Sequence, residues 1–185
     1  PARTDKARAW YREAAKGYAT SSKARGLDRK LMREEKDRFT NRIWPGSMYM
    51  FYYDPKYKET LPFYDRFPLI FPFRVEADRF WGLNLHYIPL NFRAMLMDGL
   101  YDLTNNTRYD ESTRLRLKFN LLTKASKFRW YKPCAKQYLF SQLESRFLYV
   151  YLSEWDIALF LPTERFQKAT KSQVFSNSRS IISGT

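Results

Sequence analysis

The chain has 185 residues, 44% hydrophobic and 18% aromatic, with a formal net charge of +14 and a pI near 9.9. This length suits one core domain with arms, and the apolar content excludes a wholly disordered chain although 28% of residues are charged. A single Cys (Cys134) and a single His (His86) exclude an internal disulfide and a zinc centre built mainly on such ligands, and no cofactor is called for.

The N-terminal residues place Ala7, Trp10, Tyr11, Ala14 and Ala15 on one helical stripe, with Arg8, Arg12 and Lys16 at a spacing of four on a neighbouring face. Thr4 or Asp5 suits the start and Gly17 the end. Residues 18–26 are small and polar and read as a linker. A second basic helix is expected at 27–38, with Leu27 and Leu31 on one side and Arg29, Arg33 and Lys36 on another. Apolar stripes this thin are marginal in isolation, so these helices are expected to dock on something larger. The first twenty residues carry charge throughout and do not read as a signal peptide. The apolar runs, such as 48–53 and 68–73, are far shorter than the ~20 residues needed to cross a bilayer, so the chain reads as soluble, with no membrane partner.

Trp44-Pro45-Gly46 is turn chemistry, and 47–53 reads as an aromatic strand that stops at Asp54-Pro55. Prolines 62, 68 and 72 exclude a helix interior and a regular central strand, which makes 60–73 an extended loop or edge strand. Residues 79–88 are its partner strand after a turn at 76–78. Six of the nine prolines lie between positions 45 and 89, and sixteen aromatic residues lie in 43–103. Most of those rings must be inside, where large side chains substitute for a thick core. The expected fold is α+β: a small aromatic-rich antiparallel β core, an SH3-like barrel being one form of it, with flanking helices and a basic helical N-terminal arm. The expected divisions are an arm at 1–42, a core at 43–166 and a polar tail at 167–185.

Beyond Pro89, Asn91 suits a cap for a helix carrying Phe92, Met95, Leu96, Leu100 and Leu103 on one stripe. Residues 111–128 fit both periods, since 114–121 alternate while Leu115, Phe119 and Leu122 suit a helix; their length decides for helix. A helix puts Arg114, Lys118 and Lys124 near one face, and a strand would expose Arg114, Arg116 and Lys118. Residues 146–152 read as a strand and 153–162 as a short amphipathic helix. Residues 168–185 read as a tail with no fold of its own unless a partner orders it.

The charge is unevenly distributed: +7 over residues 1–42, −1 over 43–103, +7 over 104–148 and +1 over 149–185. Two basic blocks bracketing a neutral aromatic one attract polyanions, whether nucleic acid, an acidic protein surface or anionic lipid; solubility alone is the plain alternative. Glycine-rich phosphate loops, H-E-x-x-H and G-x-S-x-G are absent from the sequence, and no small-molecule substrate is indicated. A Cys–His pair would have to join Cys134 to His86, distant in sequence; a buried Cys and a hydrogen-bonded His are the ordinary readings. The acids of the core, Asp54, Asp65, Glu76, Asp78, Asp98, Asp102, Glu154 and Asp156, sit where caps, turns or salt bridges account for them. The basic–aromatic stretch offers Arg114, Arg116, Lys118, Lys124, Lys127, Arg129 and Lys132 for phosphates, and Trp130 and Tyr131 for stacking on an end base pair. A solvated helix face with two core aromatics is the alternative.

The strings YYDPK, LPFYDRFPL, GLNLHYIP, SRF and EWDIALFLPTERF, within residues 44–166, resemble the DNA end protector family of T4-like tailed-phage virion proteins. The resemblance implies a non-enzymatic minor virion component, made in the host cytoplasm, that shields the end of packaged double-stranded DNA where it meets the neck or tail. It supplies no catalytic residues. The other readings are a neck, tail or baseplate subunit whose arms order against neighbouring subunits, and a Mg-dependent head-completion nuclease.

Overall fold

The computed structural model describes residues 39–104, 106–160 and 162–184. The two basic helices and the linker expected in 1–38 lie outside the described residues. Eight strands are described: β1 (Phe39–Thr40), β2 (Met48–Met50), β3 (Tyr64–Asp65), β4 (Leu69–Val75), β5 (Arg79–Asn84), β6 (Ala135–Leu139), β7 (Phe147–Val150) and β8 (Phe166–Gln167). The helices are α1 (Leu90–Thr104), α2 (Glu111–Lys127), α3 (Trp155–Phe160) and α4 (Lys171–Ser183). The fold is α+β. A six-stranded antiparallel sheet runs β1-β7-β2-β4-β5-β6, and β3 pairs separately with β8.

Period-2 alternation sorts the sheet side chains into two clusters. Met48, Met50, Leu69, Phe71, Leu83, Leu148 and Val150 point to one face, where α1, α2, α3 and α4 cover them with Leu96, Leu100, Leu122, Trp155, Leu159 and Val174. Tyr49, Phe51, Ile70, Phe80, Tyr138 and Phe147 point to the other. On that second face Phe80 of β5 and Phe147 of β7 bring their ring centroids within 5.5 Å. Two strands lie between them, about 14 Å across a flat sheet, so the sheet is strongly curled around an aromatic interior. The barrel is not closed: among the described residues no ladder joins β6 to β1.

Pro72 corrects the expectation that 60–73 avoids a central strand, for β4 lies between β2 and β5. The β2 ladder covers only Leu69 and Ile70, and further along the Pro72 carbonyl accepts from the Gly46 amide at 3.3 Å. The nitrogen of a strand residue points the same way as its carbonyl, so the absent N–H of Pro72 faces a turn instead of a ladder, and a register shift follows at Pro72/Arg74. Opposite Pro72 stands Gly82, where a Cβ would meet Ile70 Cβ at 3.2 Å and the Phe71 carbonyl at 3.3 Å, so a side chain here would have to push its neighbours aside by a few tenths of an ångström. Gly46 has φ +88°, which the turn at 44–46 requires.

Other local readings shift. The aromatic strand is shorter than 47–53, although Tyr53 still bridges to Leu143. The partner strand ends at Asn84, whose side chain caps a short 3-10 turn over Leu85–Tyr87. Asn91 lies inside α1 instead of capping it, and Met95 is exposed while Arg93 and Met97 are buried. Residues 111–127 are helical, begun by Asp110, whose carboxylate accepts from the Thr113 amide at 2.7 Å. The expected unfolded tail is instead α4. Thr170 and Gln173 form a reciprocal capping box and Gly184 ends the helix at φ +77°; Val174 is buried, and the Ser178 hydroxyl donates to the Tyr87 carbonyl. Local capping plus one buried apolar contact orders a segment whose composition looks polar. Among the described residues no helix is long and apolar enough to cross a membrane.

Candidate nucleic-acid interface

The helix geometry of α2 puts Arg116, Asn120 and Lys124 on one exposed ridge at a spacing of four, spanning about 12 Å, or between three and four base-pair steps of a duplex. After Phe128 closes the helix, tight turns through Tyr131 and Lys132 carry the chain on: the Tyr131 and Lys132 amides donate to the Phe128 carbonyl at 3.1 and 2.9 Å. Arg129, Trp130 and Lys132 are exposed there. The Trp130 ring stands at 84° to Phe92, centroids 5.6 Å apart, with 46% of the residue still accessible.

The other expected cations divide. Arg114 and Lys118 are half-buried. Lys118 lies 6.0 Å from the Trp155 ring, and its ammonium is pushed below the ordinary lysine range by burial and by Arg114. These two belong more to the seam between α2 and the core than to the ridge. Arg129 is exposed yet committed, its Nε donating to the Ile182 carbonyl at the end of α4. Lys127 ends α2, and its side chain lies outside the described atoms, as do Arg8, Arg12, Lys16, Arg29, Arg33 and Lys36. Tyr131 is not an open stacking platform: it packs on the core, its hydroxyl reaches the Phe92 carbonyl at 3.5 Å, and burial with the neighbouring Cys134 pushes it up to about 12. Of the expected stripe Leu115, Phe119 and Leu122, the first two are exposed and Leu122 is buried, together with Ala125.

A second basic feature was not read from the sequence. Tyr52, Arg66, Glu144, Arg165 and Gln167 line a cavity of about 360 Å³ at the end of the β3–β8 ladder. Its position is fixed from beneath by buried polar groups. Asp65 accepts from the amides of Phe67 and Arg165, both at 3.0 Å, and from the Asn84 side chain at 3.1 Å. His86 Nδ1 lies 2.6 Å from the same carboxylate, and its Nε2 lies 3.2 Å from the Thr163 hydroxyl. Burial alone would raise the Asp65 pKa, but His86 and these hydrogen bonds outweigh it and hold the carboxyl below its ordinary range. Nearby, the buried Arg93 guanidinium donates to the carbonyls of Ile88, Leu159 and His86.

The carboxylate–imidazole–hydroxyl row has the order of a hydrolytic triad, yet Asp65 and His86 are 3% and 0% exposed. Buried in this way, the Asp65–His86 pair ties the β3 segment to the turn at 85–87 and to Thr163. Cys134 is buried too; its Sγ lies 3.0 Å from the Tyr131 carbonyl, and burial pushes its thiol up to about 12. Among the described residues no group of three or more His, Cys, Asp or Glu side chains is placed to hold a metal ion.

A family model described as phage T4 terminal DNA protecting protein matches residues 6–183. No curated protein and no solved structure matches the chain. The matched span takes in α2, the turns at 128–132, the lined cavity and α4 together, so the chain belongs to the phage T4 terminal DNA protecting protein family.

Proposed function

We propose that the chain binds and shields the end of packaged double-stranded DNA, without catalysing a reaction on it, as a minor virion component at the neck or tail. The observation that carries this reading is the exposed ridge Arg116–Lys124, continued by Arg129 and Lys132 beside half-exposed Trp130, in a chain of a DNA-protecting family. The cations neutralise phosphates, and the indole face stacks on the terminal base pair. Among the described residues no carboxylate makes an ion pair with Arg116, Lys124 or Lys132, so their charge is available to a polyanion. The basic residues of 1–38 add charge for the same polyanion, and neighbouring neck, tail or baseplate proteins hold the complex in place.

Binding of the full chain to linear and to circular duplex of the same sequence, over a range of salt, tests this. If about six phosphates are neutralised, log affinity falls with log salt with a slope near −5. The double change Arg116→Ala with Lys124→Ala makes the slope shallower by about 2. Trp130→Ala lowers the preference for linear DNA. Equal affinity for linear and circular duplex overturns end binding, and binding insensitive to salt overturns the DNA reading altogether.

A further inference from the structure

We infer that the cavity between Tyr52, Arg66, Glu144, Arg165 and Gln167 seats a phosphate monoester at the end of a DNA strand, an inference that rests on the DNA-end reading above. The first argument is register. Asp65 pairs with Phe166, and one step further the Arg66 amide donates to the Arg165 carbonyl at 3.0 Å, so the two arginines stand opposite each other across the ladder. Directly opposed residues of an antiparallel pair share a face, and like charges placed there destabilise the pairing. Both arginine side chains line the cavity accordingly, and among its described lining residues two guanidinium groups stand beside one carboxylate, Glu144. A local rule broken in this way, on a rigid ladder and beside a cavity, marks a binding role more than a folding one.

The ligand class follows from the donors. A guanidinium fork matches the oxygens of a carboxylate or phosphate, and Arg66 already holds Glu144 Oε2 at 2.6 Å from its NH2 group. Arg66 and Glu144 are both 41% exposed at the side chain, so an incoming anion reaches this pair from solvent. A terminal phosphate carries a charge of about −1.5 to −2 near neutral pH, more than the single charge of a phosphodiester within the strand. A seat built on two facing guanidinium groups therefore favours the end over the middle. Tyr52, tilted on Phe67 with centroids 4.6 Å apart, supplies a wall for the attached sugar or base. The volume of about 360 Å³ falls in the small-ligand range of ~300–1,000 Å³. The frame is held as well: the Tyr52 amide donates to the Ser145 hydroxyl at 2.9 Å, the Glu144 amide to the Tyr52 carbonyl at 2.9 Å, and the Arg165 amide to Asp65.

The test uses the full chain and one blunt duplex prepared with 5′-phosphate, 3′-phosphate or only hydroxyl ends, each in competition with a closed circle of the same sequence. Ends carrying phosphate at one of the two positions should bind about tenfold more tightly than hydroxyl ends, the scale of a charge-assisted hydrogen bond. Arg66→Gln and Arg165→Gln should abolish that preference while linear DNA still outcompetes the circle. Glu144→Gln should widen it, because the carboxylate that competes for Arg66 is gone; a merely structural pair would not gain affinity on losing a partner. Equal binding of phosphate and hydroxyl ends, with linear DNA still preferred, overturns the seat and leaves the end-binding reading standing. Linear DNA no better than the circle overturns both. A rise in unfolding temperature with inorganic phosphate alone, and no preference among DNA ends, assigns the cavity to free phosphate and overturns the strand-end assignment. If a variant does not fold, the wild-type chain with the three kinds of end still decides.

Discussion

The two faces of the curled sheet are stabilised in different ways. Inside the curl, Phe51 meets Tyr53, Phe80, Tyr138 and Phe147 at interplanar angles of 69–88°, all edge to face, and the cluster around it consists of hydrophobic and tyrosine side chains. On the helix-covered side the core is more aliphatic, and buried among its surrounding segments are Asp65, Asn84, His86, Arg93 and Ser178. The first face gains stability from burial and ring geometry, which depend little on pH. The second spends part of its hydrophobic gain on polar groups that fix where loops and helices sit, and the Arg165 segment of the cavity is one of those. The rigid body is thus supplied by one face, and the placement of the surface features by the other.

Three changes separate these roles, in falling order of effect. Phe51→Ala empties the centre of the aromatic interior and should cost about 4 kcal/mol in denaturant unfolding, by nearly the same amount at pH 4 and pH 7. An effect below about 1 kcal/mol would mean the rings collapse around the gap and that the interior is not close-packed.

Asp65→Asn keeps the shape but removes the charge facing His86, and should cost about 3 kcal/mol at pH 7. Here pH matters. The folded Asp65 carboxyl is held below its unfolded value of about 3.9, so its stabilisation is present above that value and lost as pH falls through the lower folded one. The gap between wild type and Asp65→Asn should therefore narrow below about pH 4. Glu164, raised by its own burial but held down by His86, Lys171 and Arg93, has the same sign and leaves a residual acid limb in both proteins. A gap that stays constant with pH would show that the pair serves by shape alone. The smallest effect belongs to Thr170→Ala, which removes one half of the α4 capping box at a cost of about 1 kcal/mol and should speed hydrogen exchange in α4 without touching the sheet.

Parts of this were legible in the residues. Trp44-Pro45-Gly46 makes its turn, 111–127 is a helix as its length requires and 147–150 is a strand; of the fifteen described rings between positions 43 and 103, seven are buried and six half-buried, with Trp44 and Tyr57 exposed. The ridge cations Arg116, Lys124 and Lys132 were named from charge pattern alone and are exposed. Tyr131 was not separable from Trp130, because neighbouring aromatics give no sign of which one faces Phe92 from outside. Arg93 reads as a surface cation in any sequence window; in the fold it donates to two carbonyls just upstream, Ile88 and His86, and to the distant Leu159 carbonyl, and desolvation lowers its pKa to about 10. Arg66 and Arg165 stand ninety-nine positions apart with nothing local to join them. The clue available in the sequence was the pairing of Phe-Tyr-Asp-Arg with Arg-Phe-Gln as short strand-like runs, too brief to carry a period.

What the sequence by itself determined is composition-driven: an aromatic, proline-stiffened body, a helix-bearing second half and basic blocks on either side, because burial and charge follow from residue type and short-range spacing. What only the tertiary structure decided is long-range register. The curl of the sheet, the toleration of Pro72 in a central strand, the pairing of Asp65 with His86 and the meeting of Arg66 with Arg165 each depend on which distant strand lies alongside. That choice minimises the free energy of the whole packed chain and leaves no mark in any local window.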